Sequence, residues 1–187
     1  MVNSKTNSKN NVKCMDQIVG KDPQILILGS MPGKKSLTTG RYYDDPSNQF
    51  WDIIASIYNN GKPFKTYEEK IQCLKDNKIA LWDIFECCER IGSSDKDIKN
   101  AIFNCIALFL KNHPTIIKVL CNGKKAWNAF KKLKCCLCLL NLLFNIKIEI
   151  YYVPSTSRQY CSMDLEEKIA EWRKALIGNN LKNNKKK

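Results

Sequence analysis

The stretch Ile25–Trp51, ILILGSMPGKKSLTTGRYYDDPSNQFW, decides the fold. Its first four residues are branched and apolar, and Gly29-Ser30-Met31-Pro32-Gly33 stops them abruptly. A short apolar run ended by turn residues predicts a strand buried on both faces. Past a polar loop, Pro46-Ser47-Asn48 opens a second pattern, with Phe50, Ile53, Ile54, Ile57 and Tyr58 at helical spacing. That spacing predicts a helix over Asn48–Tyr58 with Ser47 as its N-cap. A buried strand, a polar exit and a helix start form the unit with which open α/β sheets build sites at their strand ends.

Three further branched runs predict strands at Ile79–Asp83, Thr115–Cys121 and Lys147–Val153. Helical patterns occupy Tyr67–Asp76, Asp95–Lys111 (one or two helices), Gly123–Leu133 and Leu165–Ile177, the last stopped by Gly178. This alternation predicts a three-layer α/β/α sandwich with a four-stranded parallel central sheet and right-handed crossovers. The strand exits would then converge on one rim: Gly29-Ser30-Met31-Pro32, Trp82-Asp83, Cys121-Asn122-Gly123 and Val153-Pro154-Ser155-Thr156-Ser157.

The 187 residues suit one domain, expected over residues 23–178. The net charge is +13. Lys5, Lys9, Lys13, Lys182, Lys185, Lys186 and Lys187 lie at the ends with no acid beside them, so the remainder carries +6 (13 − 7). A disordered basic arm over residues 1–22 and a basic tail over 179–187 are expected, each adding non-specific attraction to a polyanion.

The polar start MVNSKTNSKNN has no secretion-signal pattern, so a cytoplasmic protein with its ten cysteines as thiols is expected. The run Cys135–Phe144 is apolar but too short to span a bilayer. Cys135 and Cys138 form one CxxC with no second pair, so no metal site and no cofactor is expected. A single histidine, His113 before Pro114, leaves Ser-His-Asp, Cys-His and paired-histidine zinc chemistry poorly supported.

The segment Gly29–Ser36 imitates a phosphate-binding P-loop, with Ile79–Asp83 in the place of a magnesium-holding strand. The spacing fails: three residues separate the glycines, and a second Lys follows Lys34 where Ser or Thr is needed. Pro32 also removes a backbone donor. A nucleotide hydrolase is therefore a distant rival.

The residues GSMPG, then SL, GRYY and P-x-N-x-F-W resemble the first motif of the uracil-DNA glycosylase superfamily, in its hypoxanthine-DNA (deoxyinosine) glycosylase branch. Ala80-Leu81-Trp82-Asp83 with Cys88-Glu89-Arg90, Cys121-Asn122-Gly123, and Val153-Pro154-Ser155-Thr156-Ser157 continue the likeness in order, from about Ile25 to Trp172. The resemblance implies a four-stranded parallel sheet between helices, agreeing with the pattern above. It implies a hydrolytic, metal-free DNA glycosylase that takes a flipped, deaminated base from DNA. Hypoxanthine is the first candidate, with uracil or a G·U mismatch as the alternative.

By the same resemblance Asn48 positions the attacking water through its amide oxygen, although it also suits a plain helix start. The Gly29–Gly33 turn (Gly29, Ser30, Met31, Pro32, Gly33) holds the base edge through backbone groups. Phe50 stacks on the base, although it equally fits the helix core stripe. Tyr43 closes the pocket or packs in its loop. Asp83 accepts an N–H from the base or caps the next turn. Ser155, Thr156, Ser157 and Arg158 meet DNA phosphates, with Arg158-Gln159-Tyr160 standing where relatives continue Pro, Ala and Asn. The expected partner is DNA carrying a deaminated base, the expected state a monomer. A non-catalytic nucleic-acid-binding protein is the rival from another class.

Overall fold

The computed structural model describes residues 10–133 and 147–178. Its centre is a parallel sheet of β2 (Ile25–Gly29), β3 (Ile79–Asp83), β6 (Lys118–Asn122) and β7 (Glu149–Val153), in the order β3-β2-β6-β7. The register sets Gly29 beside Asp83 and Asn122 beside Val153, so all four chain exits leave from one edge. The pleat sorts side chains between two cores. Leu26 and Leu28 point to one face, Ile25 and Ile27 to the other. Burial on both faces explains why β2, β3 and most of β6 read as apolar runs, whereas β7 buries only Val153.

One face is covered by α2 (Phe50–Tyr58), α3 (Tyr67–Asp76) and α6 (Leu165–Ile177), which bury Phe50, Trp51, Leu74 and Trp172. Thr66 caps α3, and Asp164 with Glu167 forms a capping box on α6. Gly178, at φ 81°, stops α6 as expected. The other face carries α4 (Ile106–Asn112) and α5 (Gly123–Lys132), which bury Ile106, Phe109, Ala126 and Phe130.

A second sheet lies against that second core. Strands β1 (Asn11–Lys13), β4 (Phe85–Glu89) and β5 (Lys99–Phe103) pair antiparallel in the order β1-β4-β5. The expected disordered arm over residues 1–22 is thus corrected from Asn11 onward: Cys14 N–H donates to Glu86 O, and Ile18 exchanges backbone bonds with Leu81. The expected helices over Asp95–Lys111 become a 3₁₀ turn at Asp95–Asp97, then β5, then α4. β4 hides its Phe85 and Cys88, the cysteine serving as a small apolar residue. The strands expected from Thr115 and Lys147 begin at Lys118 and Glu149, and a short helix α1 (Lys34–Thr39) occupies the loop after Gly33. The basic tail, the CxxC and the run Cys135–Phe144 lie outside the described residues. Among the described residues no helix is long and apolar enough to cross a membrane.

Candidate active site

A cavity of about 630 Å³ opens where β2, β3, β6 and β7 end. Gly29, Ser30, Met31, Pro32, Gly33, Tyr43, Asn48, Asp83, Ser155, Thr156, Ser157 and Arg158 all line it. Of the residues selected from sequence, Phe50 alone does not.

Gly29 has no side chain for a geometric reason. A Cβ there would stand 2.5 Å from Asp83 Oδ1 and 3.0 Å from Tyr43 Oη. Asp83 is 3% exposed, and its Oδ2 has no hydrogen-bond partner within the protein. Burial pushes its carboxyl up to about 7; Tyr42's hydroxyl opposes that, the charge of Asp95 reinforces it, and Arg90 opposes it. A buried carboxyl with one free oxygen, about half protonated near pH 7, can accept from a lactam N–H and, in its protonated form, donate to a lactam oxygen.

Phe50 is fully buried, and one of its faces is covered by Tyr43, with ring centroids 4.0 Å apart and planes 17° apart. The ring that reaches the cavity is Tyr43, with Phe50 behind it. The expectation that Phe50 itself meets the base is corrected accordingly. Tyr43 sits at φ 53°, a backbone region unfavourable for a bulky residue. Its neighbour holds it there: Tyr42 N–H donates to Tyr67 Oη (2.8 Å) and Tyr42 O accepts from Trp51 Nε1 (2.9 Å). Burial raises the Tyr43 hydroxyl far above the ordinary phenol range.

Asn122, at the exit of β6, is a hub. Its Nδ2 donates to Tyr43 Oη and to Thr156 Oγ1, each at 3.0 Å, and its Oδ1 accepts from Thr156 N at 3.1 Å. Thr156 is 1% exposed, so it faces inward, while Ser155 and Ser157 are half-buried and Arg158 is exposed. Gly123, at φ 86°, lets β6 turn into α5 close under Ser155; a Cβ would come within 2.9 Å of the Ser155 Cβ.

Asn48 stands at the start of α2, and its Oδ1 accepts from Phe50 N at 3.0 Å. Ser47 does not cap the helix; its hydroxyl donates to Asp45 Oδ1 at 2.7 Å. One lone pair of the Asn48 amide oxygen is thus used to fix the side chain, and the second remains for a water. Next in sequence, Gln49 N–H donates to Thr156 O at 3.0 Å, and Gln49 Oε1 accepts from Lys168 Nζ at 2.7 Å. Lys168, 2% exposed, also donates to Tyr160 O at 2.9 Å. Helix α2, the loop after β7 and α6 are thereby tied together.

The sequence reading missed several contributors. Ser93, Asp95, Lys96, Lys124 and Lys125 also line the cavity. Ser30 Oγ donates to Asp95 Oδ1 at 2.6 Å, and Arg90, 4% exposed, reaches the carbonyls of Met31 and Pro32. Lys34, Lys35, Lys96, Lys124 and Arg158 are exposed around the opening, a cationic rim suited to a phosphate backbone. The signal for the rim was available in Lys34-Lys35 and Lys124-Lys125, which follow two of the predicted strand exits.

The arrangement thus offers an amide to hold water, an aromatic face, a buried carboxyl and free backbone donors at one opening ringed by cations. The sequence profile of the Uracil DNA glycosylase superfamily matches residues 17–177. A hypoxanthine DNA glycosylase of Methanosarcina barkeri is 37% identical over 109 residues, 58% of this chain and 69% of the relative. One of Methanosarcina acetivorans is 33% identical over the same share of each chain. The solution NMR structure of a uracil DNA glycosylase candidate from Methanosarcina acetivorans superposes with a TM-score of 0.69 at 27% identity, covering 87% of this chain and 97% of that one. With its strand exits, its cavity and its motif order all in agreement, the chain belongs to the uracil DNA glycosylase superfamily.

Proposed function

We propose that this DNA glycosylase removes hypoxanthine from deoxyinosine in DNA. The observation that carries the reading is the placement of Asp83, with its free Oδ2, beside Tyr43 and the Gly29–Gly33 turn on the floor of the cavity. Hypoxanthine presents a lactam edge, an N–H next to a carbonyl. A neutral carboxyl at Asp83 pairs with that edge by one donated and one accepted bond. The two curated relatives described above carry the same activity in their names.

In this reading the deoxyinosine nucleotide leaves the stack and its base lies on Tyr43. The N9–C1′ bond breaks with its electron pair going to the base, and C1′ takes oxocarbenium character. Water held by the Asn48 amide oxygen adds its oxygen to C1′ and loses a proton, while the base gains one. The reaction is a hydrolysis, with no change of oxidation state. Developing negative charge on the base is met by backbone N–H groups of the turn and by the protonated form of Asp83, which burial makes available near neutral pH. Ser155, Ser157, Arg158 and the lysine rim hold the flanking phosphates.

The remaining parts of the reading are a monomer acting inside the cell, with no metal and no cofactor. The deciding experiment incubates the protein, with and without EDTA, with duplex and single-stranded oligonucleotides carrying one deoxyinosine or one deoxyuridine, followed by hot alkali. Strand scission at deoxyinosine in both conditions is the expected result. Scission at deoxyuridine alone moves the assignment to uracil, and scission at neither sinks it.

A further inference from the structure

The Gly29–Gly33 turn is gripped from one side. Its carbonyls accept in succession: Gly29 O from Ile84 N (2.9 Å), Ser30 O from Phe85 N (3.2 Å), and Met31 O and Pro32 O from the two terminal nitrogens of Arg90. Every donor comes from residues 84–90, the β4 strand and its ends. A trans peptide points its N–H opposite to its C=O, and this chain has no cis peptide among the described residues. The Met31 N–H therefore points away from the Phe85 amide that holds the Ser30 carbonyl, and the Gly33 N–H points away from the Arg90 guanidinium that holds the Pro32 carbonyl; the peptide of the Met31 carbonyl ends in Pro32 and has no N–H. Neither N–H has a hydrogen-bond partner among the described residues.

Arg90 is unusual in its own right. It is 4% exposed, its Nε has no partner, and no carboxylate lies within ion-pair distance of it among the described residues. A buried guanidinium costs several kcal/mol unless its hydrogen bonds answer for it. The bonds it makes are both to carbonyls of the base-holding turn.

We propose that Arg90 is a positioning residue: by fixing the Pro32–Gly33 peptide plane it aims the Gly33 N–H at the oxygen of the departing base, beside the Met31 N–H that Phe85 N fixes through the Ser30 carbonyl. The proposal rests on the glycosylase reading above. It gives the unforeseen antiparallel sheet a role, since Arg90 stands immediately after β4.

Three readouts test it: single-turnover excision of deoxyinosine, inhibition by free hypoxanthine, and affinity for a duplex with a stable abasic-site analogue. The variants are Arg90→Lys, Arg90→Met and Arg90→Ala, each checked for folding by thermal unfolding. Arg90→Lys and Arg90→Met should lose ~10²-fold in excision rate, the scale of a lost oxyanion donor. Their inhibition by hypoxanthine should weaken by ~10-fold, about 1.4 kcal/mol, while abasic-duplex affinity stays within about a factor of 3. Millimolar guanidinium should restore part of the rate to Arg90→Ala.

A folded Arg90→Lys with wild-type rate and wild-type hypoxanthine inhibition overturns the proposal. So does an equal loss of base and abasic-duplex affinity, which marks a merely structural arginine. If Arg90→Met fails to fold, Arg90→Lys decides. A wild-type protein inactive on every deaminated base sinks the glycosylase reading instead. Calorimetric binding of hypoxanthine to wild type and Arg90→Lys then still reads the grip, and equal binding refutes it.

Discussion

The Tyr43 ring lies flat on Phe50 at 4.0 Å, so the two aromatics of the first motif divide the work between surface and core. Tyr43→Leu should weaken affinity for a deoxyinosine duplex by 10-fold or more, since stacking on one base contributes about 1–3 kcal/mol. Its melting temperature should change little. Phe50→Ala should instead unfold the protein more easily, by about 3–5 kcal/mol in a urea titration, because Phe50 is fully buried. The reverse pattern would return the stacking role to Phe50.

Asn48→Ala should slow single-turnover excision by ~10²–10⁴-fold, the scale of one positioned catalytic group. It should also cost about 1 kcal/mol of stability, because its Oδ1 accepts from Phe50 N. That stability cost is too small to produce the kinetic loss. Asn48→Asp keeps an acceptor for Phe50 N and adds a charge suited to a helix N-terminus. It should match wild-type stability and retain part of the rate. Near-wild-type excision by Asn48→Ala would shift suspicion to Asp83.

The carboxyl of Asp83, raised by burial to about 7, gives stability a definite pH dependence. Between about pH 4, where an ordinary aspartate ionises, and pH 7, folding takes up a proton. This contribution is fully present below about pH 4 and is lost as pH rises through 7. Asp83→Asn should therefore be more stable than wild type by more than ~1 kcal/mol at pH 8, with the difference vanishing towards pH 4. Excision by wild type should fall as pH rises past 7, and Asp83→Asn should lose that limb. Tyr42, Asp95 and Arg90 act on the same carboxyl, so the limb should also move in variants of those residues.

Salt should weaken duplex binding steeply. Lys34 and Lys124 are exposed at the cavity rim. Replacing both with Gln should lower the slope of log affinity against log salt by about 2, one for each phosphate contact. Single-turnover excision from saturated complex should persist. An unchanged slope would remove these lysines from the DNA surface.

The central sheet was legible because strands buried on both faces leave continuous apolar runs, as in ILIL and IAL. The second sheet was not. β1 is a polar Asn-Val-Lys triplet, β4 mixes two cysteines with two glutamates, and β5 is largely exposed. Their order comes from pairing with one another and from packing on the second core, which local sequence does not encode. The site followed the same division. Gly29 and Asp83 stood at predicted strand exits, and Asn48, at a predicted helix start, was singled out by the family resemblance. The choice between Tyr43 and Phe50 depended on a backbone angle, φ 53° at Tyr43, which the string GRYY does not reveal. Arg90 reaches the turn from 58 residues away in the chain.

Lys168 bears on synthesis. Its Nζ holds Gln49, 119 residues earlier in the chain, and Tyr160 near its own end. Residues at the start of α2 therefore wait for a further 119 residues to be made before this support exists. A chain still emerging from the ribosome carries Asn48 and the Gly29–Gly33 turn without that brace. The finished site therefore forms only after α6 has been made and has docked, and chains broken off before Lys168 lack this brace.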